Sequence, residues 1–247
     1  MSDSRFERFV LTMLNPKVGI PIFVVLVLLA APFAYRSSQL AGLPDIGDPF
    51  DVEAFGTVKI TDEENAFIEY REAAALLTEM TEAASESYFK VEEEGWSAAI
   101  DELRQWMRDN REALEIWKTG ADKPRAIYHQ PHTVGIDTLL SVTQELRNFS
   151  RLARAEGSRL EADGNSQEAW QWYRAIFRCS RHSGQHGTMI ERLVGVAMHN
   201  ITAEAIEQWS RDPRVATAQL REALKAIQAD FHTTPPASTN FKVEYLI

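Results

Sequence analysis

Between Lys17 and Arg36 the chain runs eighteen residues without a charge, VGIPIFVVLVLLAAPFAY. As a helix, Val18 to Tyr35 would rise about 27 Å, against the ~30 Å hydrocarbon core of a bilayer. A cleaved signal peptide would need a shorter apolar run and small residues before the cut. Cleavage after Ala34 places Pro32 three residues before the bond, cleavage after Ala31 leaves Pro32 directly behind it, and cleavage after Ala30 has Leu28 three before. No cysteine lies near the run, which excludes lipoprotein processing. A core helix with charged flanks so near a terminus is weaker still. Residues 18–35 are therefore expected to be an uncleaved transmembrane helix, in contact with the lipid bilayer.

Orientation is set by the flanks. Arg5, Arg8 and Lys17 precede the run, whereas only Arg36 stands after it before Asp45, Asp48, Asp51 and Glu53. Basic residues mark the cytoplasmic side. Residues 1–17 are thus expected inside, with the bulk of the chain exported across the cytoplasmic (inner) membrane. That places it on the periplasmic or other extracytoplasmic side, as a single-pass signal-anchor protein.

The exported part is acidic. The first 36 residues hold four cations and two carboxylates, which leaves −12 for the remainder of a chain of net charge −10. Such a surface disfavours nucleic acid, whose phosphates attract Lys and Arg, and disfavours lying flat on an anionic leaflet. The one cysteine, Cys179, allows no internal disulfide, and a domain of this size can manage without one.

Residues 36–60, rich in Gly and Pro, read as a tether able to pack onto the domain through Phe50, Val52 and Phe55. From there the apolar period becomes helical. Thr61 with Glu64 has the spacing of a capping box and opens one long helix with a stripe at Phe67, Tyr70, Ala74, Leu77, Ala84, Tyr88 and Val91, ended by Gly95. A second helix is predicted over Ser97 to Lys118, closed by Gly120, and Ala121 to His132 is a loop around Pro124 and Pro131. A third helix runs from Thr133 to Ala162, and Asn165 with Glu168 opens a fourth reaching Ser183. Thr188 with Glu191 starts a fifth that runs to Ser210, where Asp212-Pro213 stops it; Thr217 to Asp230 is a sixth. The fold class is thus all-α: a transmembrane helix followed by an α-hairpin array, with an exported helical domain over 61–232. Residues 233–247 stay open, because Phe241, Val243, Tyr245 and Ile247 alternate like a strand while Ser238 to Asn240 could cap a helix. This element ends abruptly at Ile247, as a docked terminal segment or as the opening of something longer.

The third and fourth helices carry the most specific pattern. In GSRLEADGNSQEAWQWYRAIF, Gly157, Leu160, Gly164, Ala169, Tyr173 and Ile176 fall at the spacings of a tetratricopeptide repeat, where small and aromatic residues let antiparallel helices approach closely. Arg181 stands where that repeat has its terminal proline, and other helix pairs do not reproduce the signature, so the array is degenerate. Across residues 60–210, NAFIEYREAAALL (65–77), NREALEIWKTGADKPR (110–125) and TMIERLVGVAMHNITAEAIEQW (188–209) resemble an uncharacterised group of membrane-anchored helical proteins from planctomycete-type bacteria. The resemblance implies a fold and a location and no chemistry.

Residues able to carry chemistry are few. His182 and His186 have the i, i+4 spacing that can bind zinc from one helix face, but Gly184 and Gly187 end the helix between them. A cationic helix C-terminus formed by Arg181 and His182 is the simpler expectation. His129 and His132 flank Pro131 in a loop, and His199 suits a hydrogen-bonded, partly buried role. Cys179 reads as a small hydrophobe, and Glu92, Glu93 and Glu94 as a solvated run ending a helix. Trp170 and Trp172 cannot face the same way; one belongs to the core, while the other, with Trp106, Trp117 or Trp209, could line a groove for a partner. There is no G-x-S-x-G, phosphate-cradling loop or C-x-x-C. No catalytic, cofactor-binding or metal residue is assigned, and no cofactor. The chain is expected to be a tethered scaffold that binds a protein or peptide in the cell envelope. The competing class is an all-helical envelope enzyme or ligand-binding domain with a carboxylate- or His-lined cleft.

Overall fold

The computed structural model describes residues 30–39, 47–135 and 141–247, and the chain divides into two units, Met1–Phe50 and Asp51–Ile247. In the first unit, residues 30–39 are helical and exposed, including Phe33 and Tyr35. The rest of the predicted transmembrane run, 18–29, lies outside the described residues, as does the cytoplasmic segment 1–17. Among the described residues no helix is long and apolar enough to cross a membrane.

The second unit is helical throughout its described residues. Its helices are α1 (Val52–Gly56), α2 (Phe67–Leu76), α3 (Glu82–Glu94), α4 (Asp101–Asp109), α5 (Arg111–Ala121), α6 (Ser141–Ala162), α7 (Ser166–His182), α8 (Met189–Arg211), α9 (Thr217–Phe231) and α10 (Ala237–Leu246). Single 3-10 turns occur at Trp96–Ala98 and Pro131–Thr133, and the only bridge among the described residues pairs Asn65 with Arg125. The centre is α7, which packs against α5, α6, α8 and α9.

The α6–α7 hairpin forms for the reasons its sequence suggests. Gly164 takes φ +82 at the turn, and Asn165 N–H reaches back to the Leu160 carbonyl at 2.8 Å, the six-residue closure of a Schellman end. Gly157 lies directly under the Tyr173 ring: a Cβ there would sit 2.6 Å from Tyr173 Cζ. The next pair is equally close, since a Cβ on Gly195 of α8 would meet the Ser180 carbonyl of α7 at 2.6 Å. Thr188 and Glu191 make the predicted capping box at the start of α8. Helix α9 then lies along α7, with Arg174 gripping Asp230 through two nitrogens at 2.8 and 3.1 Å.

Two predicted helices are each broken. The first does not open at Thr61: residues 62–64 form a turn, and α2 starts at Phe67, whose N–H bonds to Asn65 Oδ1 at 3.2 Å. It stops at Leu76, and Thr81 caps a separate α3. The second is divided at Asn110 into α4 and α5. The two interruptions are sewn to each other. Thr78 N–H donates to Asn110 Oδ1 at 2.7 Å, Asn110 Nδ2 donates to Thr78 Oγ1 at 2.7 Å and to the Trp106 carbonyl at 2.8 Å, and Trp106 Nε1 donates to the Thr78 carbonyl at 3.0 Å. The backbone groups of Thr78 at the first break are thus satisfied by side chains of the second, and the Trp106 carbonyl by Asn110 itself. In the third predicted helix, α6 is described from Ser141 onward.

The second half of the predicted tether belongs to the domain. Asp51 caps α1, Gln130 makes two hydrogen bonds to the Val58 backbone, and His132 Nδ1 meets the Gly56 carbonyl at 2.6 Å. The C-terminal segment is a helix, α10. It buries Val243 and Asn240, and Asn240 Nδ2 donates to the Gly184 and Gly187 carbonyls at 2.7 and 2.9 Å.

Candidate functional site

A cleft of about 380 Å³ opens between α4 and α5 on one side and α6 and α7 on the other. Its geometry starts from the α4–α5 pattern. Leu103, Trp106, Met107, Leu114 and Trp117 turn inward and are buried. The opposite phase then puts Arg104, Arg108, Arg111 and Glu115, at spacings of four, three and four, along one outer line that lines the cleft. The Asn110 break leaves that line continuous. Trp96 and Trp172 supply aromatic walls. The Arg104 guanidinium lies 5.4 Å from the Trp96 ring centre, and Lys118 Nζ lies 3.9 Å from that of Trp172, both cation–π distances.

The charges of the cleft are sorted. On α6, Arg159 is bound to Glu156 at 2.7 and 2.9 Å and to Asp163 at 2.7 Å, and this bonding raises its pKa. The α4–α5 wall differs. Arg104 donates to the Ala99 carbonyl and Arg108 to Gln105 Oε1. Arg111 is exposed, and among the described residues none of the three reaches a carboxylate. In a chain with 36 acidic and 26 basic residues, three arginines in line with the single acid Glu115 is a local reversal of charge.

A smaller cavity, about 70 Å³, lies among α3, α6, α7 and α8. Arg154, buried, pairs with Glu92 at 2.7 Å and Glu204 at 3.2 Å, and the Tyr88 hydroxyl donates to Glu92 at 2.5 Å. Glu161 borders the same space; burial pushes its carboxyl up to about 7, and its Oε1 has no protein hydrogen-bond partner. Burial also holds the neighbouring Tyr173 hydroxyl well above its usual value. Glu92 is therefore an ion-pair partner inside the domain and no part of a merely solvated run; Glu93 and Glu94 remain exposed.

The structure does not bring the predicted histidines together. His182 ends α7 and is buried, its Nδ1 2.7 Å from the Tyr70 hydroxyl. Burial first, then the nearby Arg178, pushes it down to about 3. A neutral imidazole corrects the expected cationic helix end, and its Nδ1 shares a hydrogen bond with the Tyr70 hydroxyl. His186, at φ +50, instead faces the Phe55 ring at 5.8 Å. His129 shares with His186 a space of only about 10 Å³, room for about one water. Among the described residues no group of three or more His, Cys, Asp or Glu is placed to hold a metal ion.

The other residues singled out have structural roles. Arg181 packs its guanidinium on Phe177 and Phe231 and donates to His199 Nδ1 at 3.0 Å, which gives His199 its expected hydrogen bond. Cys179 is fully buried and its thiol is pushed up to about 12 by burial, so it behaves as a small hydrophobe. Trp106, Trp117 and Trp209 are core residues, Trp209 stacking on Trp170 at 5.2 Å. Trp172 is mostly buried and presents its remaining edge to the cleft. Trp96 and the three arginines escaped the sequence reading, although the spacing of 104, 108 and 111 was visible. Comparison with protein-family models, curated proteins and solved structures found no match, so the chemistry of the cleft is read from its own residues.

Proposed function

We propose that the chain is a membrane-tethered α-helical scaffold whose exported domain docks a protein or peptide partner in the cell envelope, with the Trp96–Trp172 cleft as the docking place. The cleft carries this reading. It is concave, of a size that holds side chains, walled by two tryptophans, and lined by arginines that meet no carboxylate among the described residues. Val18–Tyr35 supplies the tether, and its basic N-terminal flank supports export of the domain beyond it. Close contact at Gly157–Tyr173 and the packing of α6, α8 and α9 on α7 support a degenerate tetratricopeptide-like array. Introducing a photoreactive residue at Arg108 or Glu115, with Glu222 on α9 as the distant control, tests the docking place in intact membranes. Discrete adducts from the cleft positions alone are expected; adducts only from Glu222 would refute it.

One observation favours the alternative of an all-helical envelope enzyme, namely a carboxyl near neutrality at Glu161 beside Tyr173. Its cavity of about 70 Å³ is too small for a sugar or peptide unit. The scaffold is therefore preferred.

A further inference from the structure

We infer that the cleft takes an acidic, extended peptide segment carrying an apolar side chain, a statement of partner chemistry that rests on the scaffold reading. Arg104, Arg108 and Arg111 form one line that makes no ion pair among the described residues, against the single carboxylate of Glu115 one turn further on. Their neighbours on α6 are paired among themselves, Arg159 with both Glu156 and Asp163. The unmet charge therefore lies on the α4–α5 wall, and carboxylates of a ligand would meet planar guanidinium groups suited to paired hydrogen bonds.

Size and lining decide between a peptide and other anions. Helical spacing persists across Asn110, whose N–H meets the Trp106 carbonyl, so the step from Arg104 to Arg111 is about 10 Å, which three or four residues of extended chain cover at about 3.3 Å each. Carboxylates on one side of such a segment face the arginine line. A side chain on the other side meets the remaining exposed edges of Met107, Leu114 and Trp172, apolar contacts that a phosphate headgroup would leave unused. The arrangement is that of a peptide groove, with charge setting specificity and an aromatic wall holding the anchor.

The test selects random short peptides, displayed on phage, against the full chain in detergent. Enrichment of Asp or Glu at two or more positions together with one aromatic or aliphatic residue is expected. The surface variant Arg108→Glu/Arg111→Glu should bind the selected peptides about tenfold more weakly or worse and should itself enrich Lys and Arg. Its helical melting curve confirms that it folds, and Arg108→Gln/Arg111→Gln serves should the reversal not fold. Selection of uncharged or basic peptides, or equal binding by wild type and variant, would overturn the acidic occupant. So would arginine-dependent binding of phosphatidylglycerol vesicles or polygalacturonate with no binding of acidic peptides. Cleft adducts in membranes that survive the double substitution leave the scaffold standing and remove only the acidic partner. Absence of cleft adducts from the wild type removes both.

Discussion

Burial raises the Glu161 carboxyl to about 7 from its usual 4.5 and pushes the His182 imidazole down to about 3 from 6.5, and the two shifts act on stability with opposite sign. Between 4.5 and 7 the folded protein keeps a proton on Glu161 that the unfolded chain has lost, so this group's contribution falls as pH rises and is gone above 7. Taken whole, such a shift would correspond to about 3 kcal/mol; with the side chain partly wet, about 1–2 kcal/mol is expected. Glu161→Gln should remove that slope and raise the melting temperature at pH 8 (about one unit above that titration), as read by thermal melts across pH. An unchanged profile would count against it. His182 works the other way: the unfolded chain takes up a proton below 6.5 that the folded protein refuses until about 3. Its contribution is complete above 6.5 and is lost on acidification, by an amount on the order of a few kcal/mol. His182→Gln should flatten the acid limb while lowering stability at neutral pH, because the Tyr70 hydroxyl loses its buried imidazole partner. Cys179 and His199 were legible in sequence, since isolated residues on an amphipathic helix are usually inside it. The neutrality of His182 was not, because its cause is burial at the end of α7 against Tyr70, 112 residues away in sequence.

At the scale of elements, the close contacts make sharper predictions. Gly157→Ala adds a methyl where the Tyr173 ring already lies and should cost about 1–3 kcal/mol in denaturant unfolding despite alanine's better helix propensity. Tyr173→Leu in that background should recover part of the loss. Asn110→Ala removes the acceptor of the part-buried Thr78 N–H and the buried donor to the Trp106 carbonyl, with an expected loss of about 1–3 kcal/mol. Exposed Asp109→Ala nearby should change little, and equal effects at the two positions would show that Asn110 stitches nothing. The turns of α6 to α9 and the cap of α8 were readable because Gly164, Thr188–Glu191 and Asp212-Pro213 act locally, whereas Asn165 makes no side-chain cap to α7. The breaks at Leu77–Thr81 and Asn110 were not. The apolar stripe continues through both, and what makes each break stable is a hydrogen-bonding partner 32 residues away.

For the molecule as a whole, the location of the chain is the first thing to measure. Protease added outside intact cells, after permeabilisation of any outer layer, should digest residues 40–247 and spare a fragment holding 1–35; full protection of the domain would reverse the proposed orientation. The apolar run and its charged flanks are linear features of composition, so the proposed membrane segment and its direction rest on the sequence alone. The helical class was equally open to sequence, because a 3.6-residue period needs no partner to be seen. Only the tertiary structure decided that Trp96 and Trp172, from distant segments, wall the same cleft as the Arg104–Arg108–Arg111 line, and that these arginines find no acid among the described residues. A cleft is a relation between surfaces, set by the angles at which α4–α5 and α6–α7 pack, and no single helix records it.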